Sequence, residues 1–319
     1  MAEDIVDPHH HLWARDDIGD YLLADLHADT ATVPGVVQTV FVECGASYRA
    51  EGPEHLRPVG ETEFVAAIAA ASESAPGPTI AGIVAHADLT LDPDRLDEVL
   101  DAHDAASGGR FRGIRDALCR APEGVQLGIP GRAAAGKAGD PDFQRGAARL
   151  GERGLTYDTW QYHVQLGELV ELARAVPGTT VVLDHFSTPL GVGPWEGRHD
   201  EVFEAWAPGI AEAAACPNVV AKLGGMAMPD NGFGWHLDPS ARPDIEAFLA
   251  VQARWYHHTI EHFGPDRCMF ESNFPVDRWS VDYATYWGAM DVIAERYEPH
   301  ERAAMFAGTA RRVYRLPTP

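Results

Sequence analysis

Three consecutive histidines, His9, His10 and His11, close an apolar-flanked segment that starts at Ile5. On a β-strand successive side chains point to opposite faces, which predicts Asp7, His9 and His11 on one side and Val6, Pro8, His10 and Leu12 on the other. Two imidazoles on one face can converge on a single ion or a single substrate atom. A third histidine, His185, ends another strand-like run in "VVLDHF". Neutral imidazole suits zinc and similar borderline divalent ions, and such an ion lowers the pKa of bound water toward about 7 and polarises a carbonyl. His9, His11 and His185 are therefore candidate metal ligands, with zinc the favoured ion. The same three could instead serve as hydrogen-bonding groups in a metal-independent site.

These residues need a frame that brings positions 9 and 185 together. Strand-like runs, most of them rich in Val and Ile, recur at 4–10, 37–44, 79–89, 110–118, 155–160, 179–186, 218–225 and 267–274. Strands buried on both faces have this composition. Helical patterns separate them, at 17–28, 61–74, 92–106, 142–154, 165–176, 201–215, 245–264 and 282–297, and a last one at 301–316 closes the chain. Eight strands alternating with eight helices give the rhythm of a (β/α)₈ TIM barrel, and with no Pro/Gly/Ser-rich linker the expectation is one domain over 1–319. An open doubly wound sheet would carry a glycine-rich phosphate turn after an early strand, and none stands there.

In a barrel the working residues sit at the C-terminal ends of the strands and in the loops that follow. That rule gathers Arg115 from strand four, Trp160 and His163 from strand five, His185 from strand six, Lys222 from strand seven, and Glu271 and Asn273 from strand eight. Glu271 lies two residues before Asn273 and so faces the same side one layer deeper. An interior glutamate is costly without a partner, which makes Glu271 a candidate base or a carboxylate held by a histidine or lysine. Asp277 is the second candidate base, or else a partner of Arg278. Arg115 has the geometry to grip a substrate carboxylate, or to pair with Asp116 or another acid. Lys222, between apolar "VVA" and "LGG", is expected at an oxyanion or in a salt bridge with Glu271 or Asp184. Trp160, Tyr162 and His163 would form an aromatic wall. The long loop 224–244 is expected to be a lid, with Trp235 and His236 against the substrate. His257, His258 and His262 lack a compact ligand spacing and are assigned to packing or surface.

Bulk composition narrows the partners. The chain has 48 acidic and 25 basic residues and a formal charge of −23. Nucleic acid and anionic membranes both require a cationic footprint, so a small-molecule substrate is expected instead. Cys44, Cys119, Cys216 and Cys268 form no CxxC pair and read as reduced thiols. No apolar leader or run of 18 apolar residues occurs, which points to a cytoplasmic protein. Assembly into a homo-oligomer is left open.

The segments "VDPHHHLW", "FRGIR", "VVLDHFSTPLG", "NVVAKLGG", "MFESNFPVDR" and "FAGTARRVYRL" together resemble the amidohydrolase-related branch of the amidohydrolase superfamily. That branch contains pyrone-dicarboxylate, sulfomuconolactone and sugar-lactone hydrolases, and the resemblance runs from residue 4 to about 316. It implies a TIM barrel that opens a lactone or related cyclic ester-like ring by attack of water. It matches His9 and His11 to the strand-one pair and His185 to the strand-six histidine. Asn273 falls where relatives commonly carry aspartate as general base or metal ligand. An amide has no proton-accepting state near neutral pH, and losing a positioned base typically costs about 10²–10⁴ in rate. Water or metal hydroxide would then attack the carbonyl, with Glu271 or Asp277 taking the proton and His185 or Lys222 at the oxyanion. The alternatives are a metal-dependent decarboxylase of the same superfamily, and a silent barrel that binds a small molecule without turnover.

Overall fold

The computed structural model describes residues 4–318. Eight strands lie in one parallel sheet in sequence order: β1 (Ile5–His10), β2 (Val36–Val42), β3 (Thr79–Ala85), β4 (Phe111–Arg115), β5 (Thr156–Thr159), β6 (Val181–Leu183), β7 (Val219–Leu223) and β8 (Cys268–Phe270). The ring closes between the last strand and the first. A parallel bridge pairs His10 with Phe274, Asn273 N–H donates to His9 O, and His11 N–H donates to Phe274 O. This seam sets the strand-one histidines directly beside the tail of strand eight.

Helices α1 (Leu23–Thr30), α2 (Val59–Ser72), α3 (Pro93–Ala106), α4 (Pro141–Glu152), α5 (Leu166–Ala175), α6 (His199–Ala214), α7 (Ile245–Phe263) and α8 (Tyr283–Ala294) follow the strands in turn. Several start where sequence dictates. Asp92, Asp140 and Asp244 each cap a helix with a side-chain oxygen that accepts a first-turn N–H, satisfying donors that the helix itself cannot pair. The strands end earlier than their apolar runs suggest, because the run continues into buried loop at the barrel mouth. The closing helix expected over 301–316 is interrupted. It consists of α9 (Pro299–Ala303), a π-helical turn over Ala304–Gly308, and α10 (Thr309–Val313). The π turn holds Met305 and Phe306 buried, with Phe306 edge-on to Phe270 of β8.

The barrel is filled, not hollow. Val6, Val40, Val84, Val182, Val220 and Met269 form an interior layer that packs with Ala307, Ala310 and Tyr314 from the C-terminal segment. Burying these side chains contributes about 1.5–3 kcal/mol each for the larger ones. Above that apolar plug the interior turns polar, and the site begins there. All four cysteines are free. No helix among the described residues is long and apolar enough to cross a membrane.

Candidate active site

Positions 9 and 185 meet. The ring centroids of His9 and His185 are 4.5 Å apart and those of His9 and His11 are 5.0 Å apart. Glu271 joins the first pair from below. Its Oε1 lies 2.6 Å from His185 Nδ1 and its Oε2 lies 2.8 Å from His9 Nδ1, the second out of line for a full hydrogen bond. Burial works against a charge on Glu271, but His185 and His9 outweigh it and hold the carboxyl down to about 2. An ionised carboxylate only accepts. His185 Nδ1 must therefore carry a proton, so that in the neutral ring the lone pair is on Nε2, and this ring lines the pocket.

The local backbone is built to present that ring. His185, Phe186, Ser187 and Thr188 all have positive φ, from 29° to 60°. Left-handed geometry costs non-glycine residues roughly 1–2 kcal/mol each and is held only where the surroundings enforce it. The two glycines of "KLGG" provide the space. A Cβ on Gly225 would stand 2.1 Å from His185 Nδ1, and one on Gly224 would stand 2.0 Å from the Glu271 carbonyl oxygen. These glycines let the histidine and glutamate close on each other.

His9 is wedged between two cations. Lys222 Nζ is 3.2 Å from its Nδ1 and Arg115 Nη1 is 3.4 Å from its Nε2. Burial first, and Lys222 in addition, push its pKa well below the ordinary value despite the pull of Glu271. His11 is likewise kept neutral by burial and by Arg115. Its Nδ1 lies 2.8 Å from Val42 O, which makes Nδ1 the donor and leaves Nε2 unprotonated. Lys222, fully buried, bridges Asp158 at 2.9 Å and Asp184 at 3.2 Å. Arg115 is not a free guanidinium. Its Nε donates to Glu43 Oε1 at 2.8 Å, its Nη2 to Glu43 O, and its Nη1 lies 3.5 Å from Asp184.

A cavity of about 570 Å³ opens over this cluster, and His11, Arg115, Trp160, His185, Met228 and Asn273 line it. Five sequence candidates thus face it: His11, Arg115, Trp160, His185 and Asn273. His9, Glu271 and Lys222 lie beneath its floor, and Glu271 reaches it through His185. Asp277 is not paired with Arg278, which turns to Asp29. It is buried, and it accepts from Asn273 Nδ2 at 2.9 Å and from Ala227 N–H at 3.0 Å. Burial raises its pKa to about 7. Asn273, with φ 56°, is thereby fixed by its amide nitrogen, leaving Oδ1 as its free end.

Other expectations are corrected. Asp7 does not share the His9 cluster: a register shift between Asp7 and His10 breaks the alternation, and Asp7 binds Ser272 and Tyr283 instead. His163 lies outside the pocket, accepting from Leu190 N–H and packing against Trp195. Trp235 stacks on Phe233 and Phe248, and neither it nor His236 lines the pocket. The loop 224–244 contributes only Met228 to the wall. The cover comes instead from Gly128, Ile129, Pro130 and Arg132 after β4.

Among the described residues, the group with ligand atoms mutually within 4.8 Å is His9, Asp184 and His185, with Asp184 where His11 was expected. Both Asp184 oxygens are buried without a hydrogen bond despite the nearby cations, as a carboxylate awaiting an ion would be. Two imidazoles and a carboxylate suit a divalent ion of the zinc type. Sequence reasoning named Asp184 only as a partner of Lys222, which it is at 3.2 Å, and not as a ligand. Glu43, at the end of β2, was discoverable by the same strand-end rule as Arg115.

A model of a family described as amidohydrolase matches residues 6–316. A Sinorhizobium fredii protein designated "Uncharacterized protein y4mH" is 30% identical over 98% of both chains. An L-fucono-1,5-lactonase of Burkholderia multivorans is 32% identical over 181 residues, 56% of this chain and 58% of that protein. The crystal structure of a Burkholderia multivorans amidohydrolase with bound zinc superposes with a TM-score of 0.76 at 24% identity, covering 98% of this chain and 100% of that one, and shares its fold.

Proposed function

The chain belongs to the amidohydrolase family, and from that premise we propose that it hydrolyses a lactone or related cyclic ester-like small molecule, with His185 as general base. The observation that carries this is the 2.6 Å contact between His185 Nδ1 and buried Glu271. It fixes the tautomer in which Nε2 accepts a proton at the pocket surface. The logic is that of a base oriented by a carboxylate behind it. The partial match to an L-fucono-1,5-lactonase supports a lactone as the substrate class.

In this mechanism Asn273 Oδ1 orients the attacking water and His185 Nε2 takes its proton as oxygen bonds to the lactone carbonyl carbon. Arg115, held rigid by Glu43 and Asp184, faces the oxyanion, a role better suited to it than to Lys222 below the floor. The imidazolium then returns its proton to the departing ring oxygen, giving the open hydroxy acid. Glu271 steadies the imidazolium between the two transfers. Trp160 and Met228 supply apolar walls that exclude bulk water.

His9, Asp184 and His185 would hold a divalent ion, which would supply Lewis acidity toward the carbonyl. An ion on His185 would also compete for the lone pair that the base requires. The metal-free protein is therefore the form this mechanism describes. The test is a panel of lactones followed by proton release in weak buffer, with H185Q as control. Ring opening by the wild type and its loss in H185Q support the proposal. Release of carbon dioxide from aromatic acids would favour the decarboxylase alternative, and ligand binding with no turnover would favour the silent barrel.

A further inference from the structure

The segment between β4 and α4 leaves the barrel rim as a narrow flap. Ala121 N–H donates to Gly131 O and Ala133 N–H donates to Cys119 O, so residues 119–133 double back on themselves. One flank, Gly128 to Arg132, forms a wall of the pocket. Most of the tip is half or fully exposed, so its own burial does little to hold it. Two anchors do. On one side the Tyr162 hydroxyl donates to Ile129 O at 2.9 Å and accepts from Gly131 N–H at 3.0 Å. On the other side Asp230 Oδ1 accepts from Gly128 N–H at 2.6 Å and Oδ2 from Ile129 N–H at 3.1 Å.

Asp230 sits in the 3₁₀ turn Pro229–Asn231 after β7 and is only 3% exposed. That turn is itself fastened to the loop after β6. Gly191 N–H donates to Asp230 O at 2.9 Å, and Asn231 Nδ2 donates to Pro189 O at 2.8 Å. The Asp230 carboxylate therefore joins the flap to the loop after β7, two residues beyond the pocket-lining Met228, and the main chain of Asp230 and the side chain of Asn231 tie that loop to the one after β6. The carboxylate's hydrogen bonds are charge-assisted and both go to main-chain donors of the wall segment, a stronger tie than neutral contacts give.

We propose that Asp230 is a positioning residue that latches the 119–133 flap shut over the pocket and so sets the affinity for substrate. The loop after β7 is then the anchor and the loop after β4 the lid. A latch of this kind acts through the fraction of protein whose pocket wall is in place. Apparent affinity falls in proportion to that fraction, while substrate already bound meets the same His185 and Asn273.

The test compares wild type with D230N, in which one amide end must face a backbone donor it cannot accept from, and with Y162F, which removes the opposite anchor. Trypsin reads the flap directly, because Arg120 and Arg132 flank it. Cleavage at Arg132 is expected to accelerate about tenfold or more in D230N, at temperatures well below its melting point. In the lactone assay, on which the catalytic half of the inference rests, KM is expected to rise about tenfold with kcat within threefold. Y162F should show the same pattern more weakly. Unchanged trypsin cleavage in both variants overturns the latch, as does a loss confined to kcat. If no lactone is turned over but D230N opens the flap to trypsin, the function proposal fails and the latch stands.

Discussion

Replacing Glu271 with glutamine tests the catalytic proposal at its physical root. The carboxylate is fully buried, lies 2.6 Å from His185 Nδ1 and 2.8 Å from His9 Nδ1, and does not line the pocket. Glutamine keeps the shape but has one acceptor oxygen and one donor nitrogen. If the nitrogen faces His185, that ring must accept at Nδ1, its proton moves to Nε2, and the base is lost. If the oxygen faces His185, the tautomer survives, but the amide nitrogen then crowds His9 and Lys222, and no negative charge remains to stabilise the imidazolium. Either way kcat should fall by about 10²–10⁴, the range for loss of a positioned base or its orienting carboxylate. That is about 3–5 kcal/mol of transition-state stabilisation. KM should hardly move, because the substrate never touches residue 271. Proton release from the best lactone of the panel measures both constants, and urea unfolding establishes that E271Q is folded. An E271Q enzyme within fivefold of wild type in kcat, or one impaired only in KM, would refute the tautomer argument.

Three further outcomes are expected. Asp277 keeps its proton to about pH 7 in the fold because it is buried, whereas in the unfolded chain it ionises near 4. The folded state therefore binds more protons between those values, and stability falls as pH rises through that window. Between pH 5 and 8 wild type should lose about 2–3 kcal/mol relative to D277N by urea denaturation, and parallel pH dependences would contradict this. G225A should lose activity to the same degree as E271Q, since its Cβ would lie 2.1 Å from His185 Nδ1. G264A, with φ 78° and nothing within 4 Å of an added Cβ, isolates the backbone effect and should retain kcat. Chelators should leave turnover unchanged and added zinc should inhibit it, with H9Q relieving the inhibition; activation by zinc would transfer the mechanism to the ion.

The barrel was legible because its signal is periodic: apolar runs at regular spacing, separated by amphipathic helices with acidic starts. His9, His11, Arg115, Trp160, His185 and Asn273 followed from one rule, that strand ends carry the chemistry, and five of these six face the same cavity while His9 lies just below it. The misses share a physical origin. Asp7 sits where the strand rule assumes strict alternation, and a register shift breaks it. His163, Trp235 and His236 belong to loops, whose paths depend on distant contacts such as Leu190 N–H on His163 or Phe248 under Trp235. The lid was assigned to the loop 224–244 by its length and its Gly and Pro content. The wall comes instead from the flap after β4, which Asp230 and Tyr162 anchor, and no local pattern announces a hydrogen bond across about 100 residues.

The interior charges explain why so polar a site can sit on so apolar a plug. A lone buried ion is costly, and a buried pair breaks even only when its remaining lone pairs are also satisfied. Here Lys222 is shared by Asp158 and Asp184, and Asp158 also accepts from Thr156 and from the hydroxyl of Tyr314. Arg115 is shared by Glu43 and Asp184. Asp184 thus receives only the second-best contact of each cation, and its oxygens remain without a hydrogen bond. That incomplete satisfaction sits beside His9 and His185, directly under the cavity. The same shortfall that makes Asp184 a fit ligand for a divalent ion also keeps Arg115 oriented by attraction without neutralising it fully, so the guanidinium retains field to spend on an oxyanion. Tyr314 caps the C-terminal end of α10, after the π turn. The C-terminal segment is therefore not a passive cap: through Asp158 it holds Lys222, one of the groups beside which His9 stays neutral.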